Sequence, residues 1–195
     1  LGYPYCRGRI FNTLEKDKGQ YDDITPIFWA SGACLFVRKT AYKEVDGLDE
    51  VFFTHQEEID LCWRLQSKGG TIKYIGKSTV YHIGGATLSS YNSKKTFYNF
   101  RNSLLMLIKN VGSSKICLLL IIRLILDGLA GFQFLIQGKW KHSLAIIKAH
   151  FSFYRLIPIY LKKRNNNKTQ FKYYHIKSIV WNYFIRKNRT FKELK

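Results

Sequence analysis

The segment from Ile116 to Ile136 constrains this chain most. It is a nearly unbroken apolar run in which only Arg123, Asp127 and Gln133 are strongly polar. A membrane span needs ~20 apolar residues, so the length suffices. Arg123 and Asp127 stand four apart and would meet on one face of a helix. An ion pair facing lipid is costly, which argues against a simple single span. A membrane-embedded hairpin or an interfacial helix fits at least as well. Residues 140–161 repeat the theme, with Trp140, Leu144, Ile147, Phe151 and Tyr154 among Lys141, Lys148 and Arg155. That is the composition of a basic, aromatic interfacial helix. Residues 112–195 therefore read as a basic, apolar helical tail associated with a membrane.

The charge is sorted along the chain in a matching way. Residues 1–60 hold 7 basic and 11 acidic side chains, whereas residues 61–195 hold 25 and 2. An anionic membrane surface and nucleic acid are the usual partners of such a basic zone. Here the basic residues are interleaved with long aliphatic runs instead of lining a polar helix, which disfavours nucleic acid. With 46% hydrophobic residues the chain is not a disordered polycation. Cys6, Cys34, Cys62 and Cys117 form no C-x-x-C pair, and the apolar settings of Cys34 and Cys62 favour buried, reduced thiols in a cytosol-facing compartment. Met106 is the one methionine and Leu1 opens the chain, so a piece of a longer protein is expected.

Upstream of the apolar run, strand and helix signals alternate, which implies an α/β unit over residues 1–111. Residues 1–25 read as a loop-rich lead-in. Ile27 to Val37 suits a strand covered on both faces, and Ser31-Gly32-Ala33 at its centre permits close approach of another group. Thr40 is placed to cap a helix over 41–46. Thr54 and Glu57 have capping-box spacing for a helix that runs to about Ser67 and stops at Gly69-Gly70. Strands are expected over 71–75 and 78–82. Ser93 is placed to cap a helix to Asn110, in which Phe97, Phe100, Leu104, Leu107 and Ile108 share one face.

The segment Phe52-Phe53-Thr54-His55-Gln56-Glu57-Glu58-Ile59-Asp60-Leu61-Cys62-Trp63-Arg64 carries the chemistry. Glu57, Glu58 and Asp60 crowd the start of one helix. Acids there complement the helix dipole, and Asp60 can pair with Arg64 four residues on. The same crowding raises carboxylate pKa values, so one acid could serve as a general base near neutral pH. Both readings fit the residues.

The order of the pieces SGACLFVRK, EVDGLDEVFFTHQEEIDLCWRL, GGTIKYIGKSTVYHIGGATL and KTFYNFRNSLLMLIKN resembles the C-terminal part of bacterial family 2 glycosyltransferases, in their rhamnosyltransferase-like branch. The resemblance covers roughly residues 26–111. It implies the acceptor-side half of a GT-A nucleotide-diphospho-sugar transferase fold, an α/β unit, and an inverting transfer of sugar to a hydroxyl. In that family the second acid opening this helix is the usual base. Here that position is Glu58, with Glu57 as its rival, and the departure from Asp to Glu changes the reach by one methylene. Asp60 matches the family's following acid, which orients the helix or binds acceptor. His82 matches a histidine that can bind the divalent metal, although a lone His at a strand end is otherwise structural. The cofactor implied is Mg²⁺ or Mn²⁺. Its D-x-D motif and the Gly-rich nucleotide-binding start do not occur here, and the resemblance places both upstream of Leu1.

Trp29, His55 and Trp63 are candidates to line an acceptor sugar site, with core or rim packing as the alternative for each. Lys94 and Lys95 would meet a diphosphate or simply face solvent. Arg101 and Asn102 also resemble family residues, with no role attached. The implied partners are a nucleotide-sugar donor, a glycan or lipid-linked acceptor in cell-surface polysaccharide synthesis, and an anionic membrane surface. The implied location is the cytoplasmic face of the bacterial inner membrane. The rival reading is a non-catalytic membrane-binding module built on the basic, aromatic region.

Overall fold

The structure, a computed structural model, describes residues 1–81, 92–112, 116–164 and 173–194. The first residues are less loop-like than their polar composition suggests. β1 (Arg9–Ile10) and β2 (Thr13–Leu14) form a small antiparallel hairpin, with Ile10 opposite Thr13. β3 (Ile24–Pro26) ends at a proline, which has no N–H to give a ladder. It pairs antiparallel with β4 (Lys73–Ile75), Thr25 facing Tyr74. The chain is thus mixed helix and sheet, and both described sheets have two strands.

The strand expected over Ile27–Val37 does not form. An apolar run becomes a strand only where neighbours satisfy its backbone. Here Ile27 N–H reaches the Ile72 carbonyl, and the rest runs along a helix and then makes a tight turn at Gly32–Cys34. Phe36 is left 90% exposed. Helix α1 covers Lys39–Glu44 and starts after Arg38, one residue before the Thr40 cap that was expected. Gly47, at φ 63°, follows it and donates to the Tyr42 carbonyl. Beyond β4, residues 78–81 form no strand, and His82 with Gly84-Gly85 lies outside the described residues.

The four longer helices follow their apolar periodicity. They are α2 (Glu57–Ser67), α3 (Ser93–Asn110), α4 (Ile116–Ile136) and α5 (Trp140–Lys163). The side chain of Asn92, not Ser93, caps α3 by accepting from the Lys94 N–H. α3 packs most extensively on α5 and also meets α2 and α4. The largest core therefore joins Phe52, Ile59 and Trp63 to Leu104–Ile108 and to Ile116, Phe153 and Tyr160, crossing residue 112. A second core brings Ile10 together with Ile179 and Leu194, so the first and last segments meet.

α4 and α5 are both long and apolar enough to cross a membrane. The two charged residues of α4 face inward, and Gln133 is exposed. Arg123 and Asp127 are 1% and 0% exposed and pair at 3.5 Å. Tyr3 donates to Asp127 at 2.8 Å, His150 lies 3.4 Å from its other oxygen, and Arg123 donates to Ser103 at 2.8 Å and to the Gly2 carbonyl. Gly2 fits because it has no side chain: a methyl group there would stand 2.5 Å from Leu107 Cδ2. The opposite face of α4 exposes Leu118, Ile121, Ile125, Leu129, Phe132 and Ile136.

Removing one member of a buried pair strands the other charge, at a cost of about 3–5 kcal/mol. Asp127→Ala should lower unfolding stability on that scale in urea denaturation. The double variant Arg123→Met with Asp127→Leu should lose clearly less.

Candidate active site

The acid-led helix is launched by a strained turn, not by a side-chain cap. Phe53, His55 and Gln56 have φ of 60°, 65° and 74°. Such left-handed conformations cost an L-residue roughly 1–2 kcal/mol each and persist only when their surroundings impose them. Gln56 occupies the N-cap with no side-chain cap bond, so the expected Thr54–Glu57 capping box is absent and Glu57 is the first helical residue. A left-handed turn of non-glycine residues carries no propensity signal, which is why the box looked plausible.

α3 supplies what holds the turn. The buried amide of Asn102 donates to the carbonyls of Phe52, Thr54 and His55 at 2.8–2.9 Å. Arg101 donates to the Val51 carbonyl at 2.6 Å and to the Asn102 side-chain oxygen at 2.9 Å. Gln56 reaches Asn99 at 3.4 Å. Neither Asn102 nor Arg101 had an assigned role in the sequence. The available signal was a polar Asn beside an apolar helix face.

On the other side, the segment after β3 lies along α2. The Phe28 carbonyl accepts from Gln66, Ala30 meets Cys62, and a methyl group on Gly32 would stand 4.0 Å from Glu58 Cβ. An extended chain advances about 6.6 Å in two residues and a helix about 6 Å in four, so the two stay in step. The small residues Ala30 and Gly32 thus sit against the acid face.

Glu57 and Glu58 make no ion pair among the described residues, and each has a buried carboxylate oxygen without a protein partner. The same holds for His55 Nε2 and Gln56 Oε1, so four consecutive side chains carry unmet polar atoms. Native structures leave few such atoms, and clusters of them mark functional ground. Burial, reinforced by the charge of Glu57, pushes the Glu58 carboxyl up to about 7. Burial also raises Glu57. His55 is lowered by burial and by the nearby Lys95 charge.

Asp60 is different in kind. It is fully buried and bound by Arg64 at 2.8 Å, Lys109 at 2.9 Å and Asn110 at 2.7 Å. The Asp60–Arg64 pair is present, but inside the protein instead of on its surface. Lys109 also bonds Asp49 at 2.9 Å, and Lys163 bonds Asp49 from α5. Burial works to raise Asp49, but its bonds to Lys163 and Lys109 together outweigh that and hold it at about 2. Asp60 therefore fixes α2 and has no free oxygen for a substrate.

Trp63 takes the packing alternative. It is 2% exposed, edge-on to Phe28 and stacked on Tyr173 at 4.7 Å. Trp29 is half-buried against the main core. His55 is half-buried in the turn beside the acids. Burial raises the Cys62 thiol to about 11, which makes it inert as a nucleophile at neutral pH. All four cysteines are free; Cys62 is buried, Cys34 only partly. Lys94 borders an open groove of about 400 Å³ with Phe97, Trp140, Lys141 and Lys148. Among the described residues no group of three or more His, Cys, Asp or Glu could hold a metal ion. The residues described thus do not make a metal centre, and His82 lies outside them.

An acid pair without an ion partner among the described residues, one member raised to about 7, is chemically able to accept a proton near neutral pH. The chain is in fact similar to curated glycosyltransferases. One is the N-acetylglucosaminyl-diphospho-decaprenol L-rhamnosyltransferase of Mycobacterium tuberculosis, 40% identical over 57 residues, or 29% of this chain and 19% of that protein. Rhamnosyltransferase WbbL of Escherichia coli is 29% identical over 83 residues, 43% of this chain and 31% of that protein. A low-salt glycan biosynthesis hexosyltransferase of Haloferax volcanii is 25% identical over 106 residues, 52% of this chain and 34% of that protein. The chain spans at most about a third of the length of these relatives. No protein-family model and no solved structure matches it.

The raised Glu58 carboxyl has a consequence for stability. A raised carboxyl holds a proton in the folded state that the unfolded chain releases near pH 4.5, so the Glu58 contribution to stability should fall as pH rises from about 4.5 to about 7 and level off above. Glu58→Gln removes this penalty. Denaturation at pH 4.5 and pH 8 should show the variant gaining about 1–2 kcal/mol on the wild type at the higher pH, after allowance for partial solvent screening.

Proposed function

We propose that this chain is the acceptor-side part of an inverting family 2 glycosyltransferase of GT-A fold, in the rhamnosyltransferase-like branch. The observation that carries the reading is Glu58: a carboxyl that burial raises to about 7 and that forms no ion pair among the described residues, at the head of α2, in a chain similar to glycosyltransferases. A base is most effective when its pKa lies near the working pH. Glu58 takes the proton from an acceptor hydroxyl. That oxygen attacks the anomeric carbon of a nucleotide-diphospho-sugar from the face opposite the diphosphate. The bond to the diphosphate breaks and the nucleoside diphosphate leaves with its electrons, so the sugar is transferred with inversion. Glu57 keeps Glu58 basic, Asp60 anchors the helix, and His55 with Trp29 borders the acceptor, Trp63 packing beneath them.

A divalent Mg²⁺ or Mn²⁺ on the donor diphosphate belongs to the same proposal, with His82 as this chain's candidate ligand. The acceptor class is a glycan or lipid-linked sugar in cell-surface polysaccharide synthesis, at the cytoplasmic face of the inner membrane. The first relative's name supplies a concrete probe, an N-acetylglucosaminyl-diphospho-polyprenol with an activated rhamnose. In a protein that carries the donor-binding half as well, with these or the cognate substrates, Glu58→Gln should cut turnover by about 100-fold or more while the protein stays folded. Glu57→Gln should keep turnover and move the acidic limb of the pH–rate profile downward, because it removes a charge that raises Glu58. Wild-type-like turnover in Glu58→Gln would sink the assignment.

A membrane-docking role for the tail is favoured by a separate observation and is compatible with catalysis. On α5 the exposed ridge Trp140, Leu144, Ile147, Phe151 and Tyr154 runs beside Lys141, Lys148, Arg155 and Lys162, spaced seven apart. Asp127, the only acid on α4 or α5, is buried. An apolar ridge with a basic row and no exposed acid suits an anionic bilayer surface. The protein should float with vesicles containing anionic lipid, less with neutral ones, and less again when Lys141, Lys148 and Arg155 are changed to Glu. No flotation with anionic vesicles would remove this role.

A further inference from the structure

We infer that Asn102 is a positioning residue for the reaction: it holds the left-handed turn 53–56 in the one shape that sets Glu57 and Glu58 at the head of α2. The inference rests on the sugar-transfer reading above and adds to it the means by which the base is aimed. The turn is poorly favoured on its own. Phe53, His55 and Gln56 all have positive φ, and none is glycine. Left free, residues of these types return to negative φ, and the first turn of α2 would swing with them.

One buried amide opposes that. Asn102 has no exposed surface, and its nitrogen lies within 2.9 Å of three carbonyl oxygens that belong to the turn. Its side-chain oxygen is turned the other way and accepts from Arg101, which itself binds the Val51 carbonyl. This bond fixes the amide so that nitrogen, not oxygen, faces the turn. Asp cannot replace it, because a carboxylate would face three carbonyl oxygens. The amide shares its two hydrogens among the three oxygens, one of them bifurcated, whereas a hydroxyl has only one hydrogen to offer. The specification is narrow and serves a segment that touches the proposed base directly, since Glu57 follows Gln56 without an intervening residue.

A structural residue and a positioning residue differ in what can rescue them. Gln56→Gly removes the steric cost of a positive φ at the turn's last residue and fills no space left by Asn102. The experiment combines Asn102→Ala, the milder Asn102→Ser, and Asn102→Ala with Gln56→Gly, read by steady-state kinetics in a protein that also carries the donor-binding half and by amide hydrogen exchange. Asn102→Ala should lower kcat about 10- to 100-fold, as expected for a reacting group displaced by about 1 Å, with KM for the donor changed less than about twofold. Exchange should accelerate at amides 53–60 and stay unchanged across α5. Asn102→Ser should fall between, and Gln56→Gly should recover at least about tenfold of the lost kcat and restore slow exchange. The inference is overturned if Asn102→Ala keeps kcat within about twofold, or if exchange accelerates throughout the chain and Gln56→Gly restores nothing. If Glu58→Gln retains turnover, the sugar-transfer reading fails instead, and the exchange rates at 53–60 with and without Gln56→Gly decide the clamp separately.

Discussion

Asp60 is a carboxylate with no exposed surface, and the arrangement of the whole chain turns on how it is held. Burying such a charge without partners would cost several kcal/mol. Arg64, Lys109 and Asn110 surround it, from its own helix and from α3. Lys109 passes the link to Asp49, and Asp49 to Lys163 at the end of α5. One connected set of charges thus ties α2, α3, α5 and the segment before α2. Arg64 adds the carbonyls of Val45 and Gly47, which anchors the end of α1 as well. The sheets are too small to organise this much chain, so α3 takes the central place a larger sheet would occupy.

The division of labour along α3 follows from that place. Its middle, Leu104 to Ile108, is apolar and fills the main core. Its polar residues flank this stretch. Lys109 and Asn110 grip Asp60 inside α2, while Asn99, Arg101 and Asn102 grip the turn before α2. Contacts from α3 thus hold α2 within its span and hold the turn at its start. That matters for a base, because proton transfer needs heavy atoms within about 2.6–3.2 Å.

Much of this was legible in the residues, and what was missed around the site has a common cause. α3, α4 and α5 follow from apolar periodicity, because each buries one continuous face. The Arg123–Asp127 pair follows from spacing of four, although spacing alone does not say whether the pair meets lipid or protein; Tyr3, Ser103 and His150 decide that, and they lie far off in sequence. The failures that shape the site were non-local. Ile27–Val37 has strand composition, but a strand requires partners, and the chain offers α2 in their place. Thr54 has cap spacing, but Asn102, nearly fifty residues on, imposes another turn. Trp63 has a sugar-stacking face, but Phe28 and Tyr173 occupy it. The meeting of Ile10 with Ile179 and Leu194 joins the two ends of the chain, beyond any local pattern.

The imbalance of charge acquires a sharper meaning in the folded protein. With 32 Lys and Arg against 13 Asp and Glu, cations outnumber acids, yet only four acids form ion pairs among the described residues. Asp23 has Arg7, Asp49 has Lys109 and Lys163, Asp60 has Arg64 and Lys109, and Asp127 has Arg123. A cation beside a carboxylate lowers its pKa and weakens it as a base. Glu57 and Glu58 lie only a few residues from Asp60, yet neither joins an ion pair among the described residues. Lys109 and Arg64 are committed to Asp60, and Arg101 is turned toward backbone carbonyls and Asn102. Arg64 and Lys109 thus serve Asp60, while burial, with the charge of Glu57 beside it, holds the Glu58 carboxyl up.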